Sequence, residues 1–291
     1  MLGARPLHCP SSSGSKLSST VGDLLENPTE YRRVVGSLQY CTITRPDFSY
    51  SVNQLCQFMH SSRELHWIAV KRVLRYLKGI IEFGLLYNLG TITMHAYCDS
   101  DWAGNPDDRR STIGYGVFLG TNLISWCSKK QSVVSRSSTD AEYRSMAHTT
   151  AELYWLHMLL QELHITLSTA PSLWCDNVSA IALASNPVFH SRTKHIEINY
   201  HFVREKVVNH DIHIQHTSTQ DQIADVFTKS HTANRFCFLR DNLCVCLLPH
   251  SLRGGVRVLN SITTSTKSGT ESSIGERSEE DQKKMNKDNM L

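Results

Sequence analysis

Apolar positions between residues 64 and 78 recur at a helical step. Leu65, Ala69, Val73 and Tyr76 follow one another at intervals of four, four and three, and Val70, Leu74 and Leu77 widen the stripe. Lys71, Arg72 and Arg75 fall away from its centre, as an amphipathic helix requires. The helical pattern begins near Thr29 and is interrupted at Arg45-Pro46-Asp47, where Asp47 is placed to cap the helix that follows. Gly79 is the expected stop.

Beyond Gly90 the period shortens. Residues 92–98, 115–119 and 123–127 read as strands separated by turns bearing Gly, Asn and Asp. A long helix is predicted over 138–163, with Tyr143, Ala147, Ala151, Tyr154 and Met158 on one stripe. There follow a strand over 172–175, a helix over 177–184, a helix over 196–208, a strand over 212–215 and a last helix over 220–228. Three hairpin-like strands and then alternating helices and strands describe an α/β domain with a mixed sheet.

The chain has 291 residues, which at roughly 100–200 residues per domain suggests two domains. Residues 1–28, rich in Ser with Gly and Pro, read as a flexible lead-in. Residues 29–90 form a helical segment, 91–230 the α/β domain and 231–260 a C-terminal extension. Residues 261–291, Ser/Thr-rich and then charged, are expected to be disordered. No run of about 18 apolar residues occurs, and the most apolar helix is broken by His157, Gln161 and Glu162, so no membrane span is expected. Residues 1–20 lack a continuous apolar stretch of the secretory kind. Nine cysteines without a zinc-site spacing read as reduced thiols of an intracellular protein, cytoplasmic or nuclear. A net charge of +3 announces no nucleic-acid partner by itself, so that question falls to local chemistry.

Four acidic residues stand out by their place in the pattern. Asp99 and Asp176 end predicted strands, Glu142 lies in the first turns of the long helix, and Asp225 lies in the last helix. Carboxylates at the C-terminal ends of strands lie where open α/β sheets place their sites. Three or four such groups together repel one another and need cations, and all-oxygen ligation suits Mg²⁺. Taken singly, each has an ordinary structural explanation as a turn former or a helix N-terminal charge. Asp101 and Asp140 compete with Asp99 and Glu142, respectively.

Several phrases together resemble the copia-type LTR retrotransposon Pol polyproteins, in the part that holds their ribonuclease H domain. They are Tyr97-Cys98-Asp99-Ser100-Asp101-Trp102-Ala103-Gly104, Asp108-Arg109-Arg110-Ser111-Thr112 and Ser137-Ser138-Thr139-Asp140-Ala141-Glu142-Tyr143. Cys175-Asp176-Asn177-Val178-Ser179-Ala180, Arg192-Thr193-Lys194-His195-Ile196 and Asp221-Gln222-Ile223-Ala224-Asp225 continue them in the family's order. Upstream, the stretch from Tyr31-Arg32-Arg33-Val34 to Arg75-Tyr76-Leu77-Lys78-Gly79 is similar to the segment that connects the reverse transcriptase to that domain. No aromatic-x-Asp-Asp polymerase motif, Asp-Thr-Gly protease motif, zinc knuckle or P-loop occurs. The resemblance thins at both ends, which suggests a truncated, element-derived product.

The resemblance implies a ribonuclease H-like mixed five-stranded sheet with flanking helices, preceded by a small helical connection segment. It implies cleavage of the RNA strand of an RNA–DNA hybrid, with two Mg²⁺ or Mn²⁺ ions held by Asp99, Glu142, Asp176 and Asp225. A polymerase domain of a reverse transcriptase is an implied partner. The family pattern favours Asp99 over Asp101, and Glu142 is preferred to Asp140 because residues two apart on a helix point in different directions. His216 is implied as a mobile histidine that assists proton movement or product release. Arg109, Arg110, Arg136, Ser138, Arg192, Lys194 and His195 are candidate phosphate or sugar contacts, weighed against the plainer view that basic surface residues are simply solvated. The alternative to an enzyme is a catalytically silent module that holds nucleic acid or a polymerase partner.

Overall fold

In a computed structural model, residues 3–14, 16–185 and 197–249 are described. The first helix, α1 (Pro28–Cys41), starts at Asn27, whose side chain accepts from the Thr29 amide at 3.1 Å, and Pro28 supplies the preset first-turn geometry. A 3₁₀ turn (Pro46–Phe48), α2 (Ser49–Cys56) and α3 (Glu64–Gly79) complete the helical segment, followed by the short strand β1 (Phe83–Leu85). Strands β2 (Met94–Asp101), β3 (Thr112–Leu119) and β4 (Asn122–Lys130) form an antiparallel meander. The long helix α4 (Ser138–Glu162) leads to β5 (Ser172–Cys175), α5 (Val178–Ser185), α6 (Glu197–Val208) and β6 (His213–His216). A second 3₁₀ turn (Ile223–Phe227), α7 (Ala233–Asn242) and β7 (Val245–Leu247) close the described chain.

The strand order is β4-β3-β2-β5-β6, with β2, β5 and β6 parallel and the meander antiparallel. This is the ribonuclease H-like mixed five-stranded sheet anticipated above. Alternation along β2 sends Met94, Ala96 and Cys98 into one core with Tyr143, Met146 and Leu153 of α4 and Tyr200 and Val203 of α6. The other face packs Phe118, Leu123 and Phe227 against Tyr31, Val35, Val52, Val70, Val73 and Tyr76 of the helical segment. Phe236, Leu239, Leu243 and Val245 of α7 and β7 belong to that second core, and β7 pairs with β1 (Gly84 opposite Cys246). The helices, the sheet and the C-terminal helix and strand thus lie in one compact unit, Met1–His250.

Several local expectations are corrected. In α3 the buried residues are His66, Val70, Val73 and Tyr76, whereas Leu65 is exposed; in α4 they include Tyr143, Met146, Ala147, Thr150 and Leu153, whereas Ala151 and Met158 are exposed. Repeated steps of four turn about 40° too far at each step, so a stripe drawn that way drifts off the packed face. The predicted helix over 220–228 is the short 3₁₀ turn Ile223–Phe227. The segment expected to be flexible lies against α3: Leu24 bridges Arg63, the Arg75 Nε donates to the Arg5 carbonyl at 2.7 Å, and Cys9 is buried. Polar composition did not reveal that its backbone would find partners. The tail expected to be disordered over 261–291 lies outside the described residues.

Asp47 does not cap a helix. It is buried and takes both the Nε and Nη2 of Arg45, at 2.9 and 2.7 Å, while the Tyr76 hydroxyl donates to the same carboxylate. Arg45 also reaches the carbonyls of Ile80 and Phe83 at 3.4 and 3.3 Å, tying the α1–α2 connection to the end of α3 and to β1. A forked guanidinium matched to a carboxylate in a buried setting is costly to break, because one charge is left unpaired. Asp47→Ala is therefore expected to lower stability by about 3–5 kcal/mol, read by denaturant unfolding.

Gly114 sits opposite Asp99 in the β2–β3 register. A Cβ there would lie 2.5 Å from Thr228 Cγ2 and 2.8 Å from Phe227 Cβ, so only glycine lets the second 3₁₀ turn close onto the sheet. Gly114→Ala is expected to cost about 1–3 kcal/mol by overpacking, and to displace the turn that carries Asp225. Unfolding titrations, together with divalent-cation affinity, read both effects.

Candidate metal centre

β2 and β5 run side by side in parallel, Tyr97 opposite Trp174, so their C-terminal ends bring Asp99 and Asp176 to one edge of the sheet. α4 is capped by Ser137, whose hydroxyl accepts from the Asp140 amide at 3.1 Å. About two turns further on, the Ser145 hydroxyl donates to the Asp99 carbonyl at 2.8 Å, which locks the helix to β2. Glu142, three residues before Ser145, is thereby set over the same edge. The second 3₁₀ turn supplies Asp225 from the other face.

Asp99, Glu142 and Asp225 are 1%, 7% and 5% exposed, so three carboxylates are withdrawn from water at one place. Ligating atoms of Glu142, Cys175 and Asp176 all lie within 4.8 Å of one another. Asp99 and Asp225 are joined by Lys229, whose Nζ is 3.2 Å from Asp99 Oδ1 and 2.8 Å from Asp225 Oδ1. The Thr228 hydroxyl donates to Asp99 Oδ2, and the Thr219 hydroxyl lies 3.4 Å from Asp176 Oδ2. Arg235 stands 3.8 Å from Asp225 Oδ2.

The electrostatics follow from this crowding. Burial, and then the charges of Asp99, Cys175 and Asp176, push the Glu142 carboxyl well above the usual range. Burial also raises Asp99; Lys229 and the Thr228 hydrogen bond oppose that rise, and Asp225 adds to it. Lys229 is raised despite burial, because the two carboxylates outweigh the loss of water. One carboxylate oxygen, Glu142 Oε2, is buried with no hydrogen-bond partner. A buried acceptor left in that condition is expensive, and a cation is the ligand that would satisfy it. The residues present therefore fit a divalent ion.

The competing acids are occupied elsewhere. Asp101 turns into the hairpin, where its carboxylate accepts from the Thr112 amide, and burial holds it up at about 7. Asp140 braces the start of α4, accepting from Arg144 Nε at 2.7 Å and from the Arg136 amide at 3.0 Å. His216 ends β6 opposite Cys175 and is exposed. Arg109, Arg136 and Ser138 are exposed, and Arg110 lies 3.6 Å from Asp108. Arg192, Lys194 and His195 lie outside the described residues.

Reasoning from sequence missed Thr228 and Lys229, and it missed His231, whose Nε2 is 3.0 Å from the Asp225 carbonyl. The available signal was proximity: Lys229 follows Asp225 by four residues, the spacing of a charge pair on one helical turn. Cys175 was visible only as the neighbour of Asp176.

A ribonuclease H-like α/β domain with carboxylates gathered at the shared ends of its central strands is the class that fold and site define. No family model matches the chain. It is 50% identical over 259 residues to the retrovirus-related Pol polyprotein from transposon RE2 of Arabidopsis thaliana, covering 89% of this chain and 18% of that protein. It is 36% identical over 245 residues to the corresponding polyprotein from transposon TNT 1-94 of Nicotiana tabacum, covering 81% and 18%. Among solved structures, LC11-RNase H1 isolated from compost aligns at 14% identity with a TM-score of 0.36, covering 47% of this chain and 94% of that one. The chain is thus homologous to one part of the retrovirus-related Pol polyproteins of transposons, and it spans about a fifth (18%) of the length of these curated relatives.

Lys229 is a tethered cation between two buried carboxylates. Lys229→Met is expected to lower the thermal stability of the metal-free protein, by about 1–3 kcal/mol, and to make added Mg²⁺ more stabilising than it is in the parent. Melting curves with and without Mg²⁺ check both effects.

Proposed function

We propose that this chain hydrolyses the RNA strand of RNA–DNA hybrids endonucleolytically, leaving a 3′-hydroxyl and a 5′-phosphate. The observation that carries the reading is the buried, partnerless Glu142 Oε2 at the strand edge that also bears Asp99, Asp176 and Asp225. Asp99, Glu142, Asp176 and Asp225 would hold two Mg²⁺ or Mn²⁺ ions, which when bound activate a water and offset charge on the departing 3′ oxygen. The side chains do the rest by position. Thr228 and Lys229 orient Asp99, and Ser145 fixes the helix that presents Glu142.

Arg109, Arg110, Arg136 and Ser138 are assigned to backbone phosphates and sugars, with Ser138 at a helix N-terminus suited to an anion. Arg192, Lys194 and His195 join them by their place in the motif. His216, at the exposed end of β6, is assigned to proton movement or product release. In this reading residues 29–90 are the connection to a reverse transcriptase polymerase domain, and 91–230 are the nuclease. Among the described residues no helix is long and apolar enough to cross a membrane. All nine cysteines are free, which supports an intracellular setting, cytoplasmic or nuclear.

One observation favours the silent-module alternative: Lys229 already neutralises Asp99 and Asp225, so a folded site exists without added metal. A labelled hybrid incubated with the purified protein separates the two. Mg²⁺-dependent cutting is expected, abolished by chelation and reduced about a hundredfold or more in Asp99→Asn and in Asp176→Asn. Cutting that survives both substitutions overturns the site, and hybrid binding without cutting at millimolar Mg²⁺ establishes the silent module.

A further inference from the structure

The hard-cation reading of the site leaves one side chain unused. Cys175 is the last residue of β5, fully buried, and its sulfur lies within 4.8 Å of carboxylate oxygens of both Glu142 and Asp176. Glu142 is 7% exposed, and its Oε2 has no partner. One sulfur and two carboxylate oxygens are not a Mg²⁺ ligand set, because Mg²⁺ demands oxygen throughout and near-octahedral order. They are a set for a borderline or soft divalent ion, which accepts thiolate and carboxylate together.

We infer that Cys175, Glu142 and Asp176 form a binding site for a thiophilic divalent cation of the Zn²⁺ and Cd²⁺ class. The inference rests on the same reading of Glu142 and Asp176 as cation ligands, and adds a third ligand with a different chemical preference. Around Zn²⁺, with Zn–S near 2.3 Å and Zn–O near 2.1 Å, neighbouring ligand atoms stand about 3.5 Å apart. The ligating atoms, all within 4.8 Å of one another, need to close by at most about 1.3 Å, which small side-chain rotations provide. On binding, the Cys175 thiol gives up its proton to solvent, and the metal–sulfur bond takes its place. The fourth position is left to water. An ion held in this way occupies two of the four carboxylates that the nuclease reading requires, so it acts as an inhibitor that hard cations displace poorly.

The test uses the full chain, freed of metal by chelation and titrated with Cd²⁺. Sulfur-to-cadmium absorption in the ultraviolet and calorimetry are read together. One equivalent with the sulfur band is expected in the parent and in Cys41→Ser, a control at an exposed cysteine, and is expected to disappear in Cys175→Ser. Glu142→Gln keeps the thiol and should weaken that equivalent tenfold or more, a measurement that stands even if Cys175→Ser fails to fold. A band unchanged in Cys175→Ser, or an affinity unchanged in Glu142→Gln, overturns the inference. Hybrid cleavage in Mg²⁺ is measured on the same chelated preparation before any cadmium is added. Cleavage without the Cys175-dependent band overturns this inference alone, whereas the band without cleavage upholds it and overturns the nuclease.

Discussion

Like charges gathered at one edge of a sheet repel, and in this protein three of the four carboxylates concerned are also withdrawn from water. At close range in a medium poorer than water, that repulsion grows to several kcal/mol per pair, so the arrangement persists only with compensation. The chain supplies part of it. Lys229 spans Asp99 and Asp225, Thr228 donates to Asp99, and protonation of Glu142 is favoured by burial and by its acidic neighbours. Glu142 Oε2 receives no hydrogen bond. The site is therefore half-compensated, and that imbalance is what makes it a place for cations.

The two halves of the site differ in chemistry. Asp99 and Asp225 share an internal ammonium, so an arriving cation must compete with Lys229 for them. Glu142 and Asp176 share a sulfur neighbour, Cys175, and have no internal cation within the group. Hard cations are favoured by the oxygen count of the whole, and softer ones by the sulfur of one half. Selectivity is thus decided by which carboxylates an ion engages.

The rest of the molecule serves to hold that edge. One core fixes α4 to β2 and so fixes Glu142; the other presses the second 3₁₀ turn, with Asp225, onto β3 across Gly114. The helical segment and α7 with β7 back the second core, and the Arg45–Asp47–Tyr76 cluster locks the helical segment internally. Removing the helical segment would strip the cover from the sheet face that carries the turn. What looked like an attached connector is part of the support for the site.

Periodicity alone gave most of the succession of elements between α1 and β6, though not β1, α7 or β7, because alternation of apolar residues and helical spacing are local properties of the chain. It placed β5 and the span of α4 closely, while the choice of Asp99, Glu142, Asp176 and Asp225 as one set came from the resemblance to a family. Periodicity found most of the packed face of α3, where Leu65 alone of the stripe is exposed, but drifted off the buried face along the later turns of α4, since that face depends on where the partners stand. It also gave Asp47 a capping role, because an Arg two residues away and a Tyr on α3 are invisible as partners in one dimension. Only tertiary structure decided that Lys229 bridges two acids, that Cys175 faces Glu142, and that Asp101 and Asp140 are spent on local hydrogen bonds. Those are contacts between distant parts of the chain, fixed by strand register and sheet packing, and no local pattern encodes the distance across a fold.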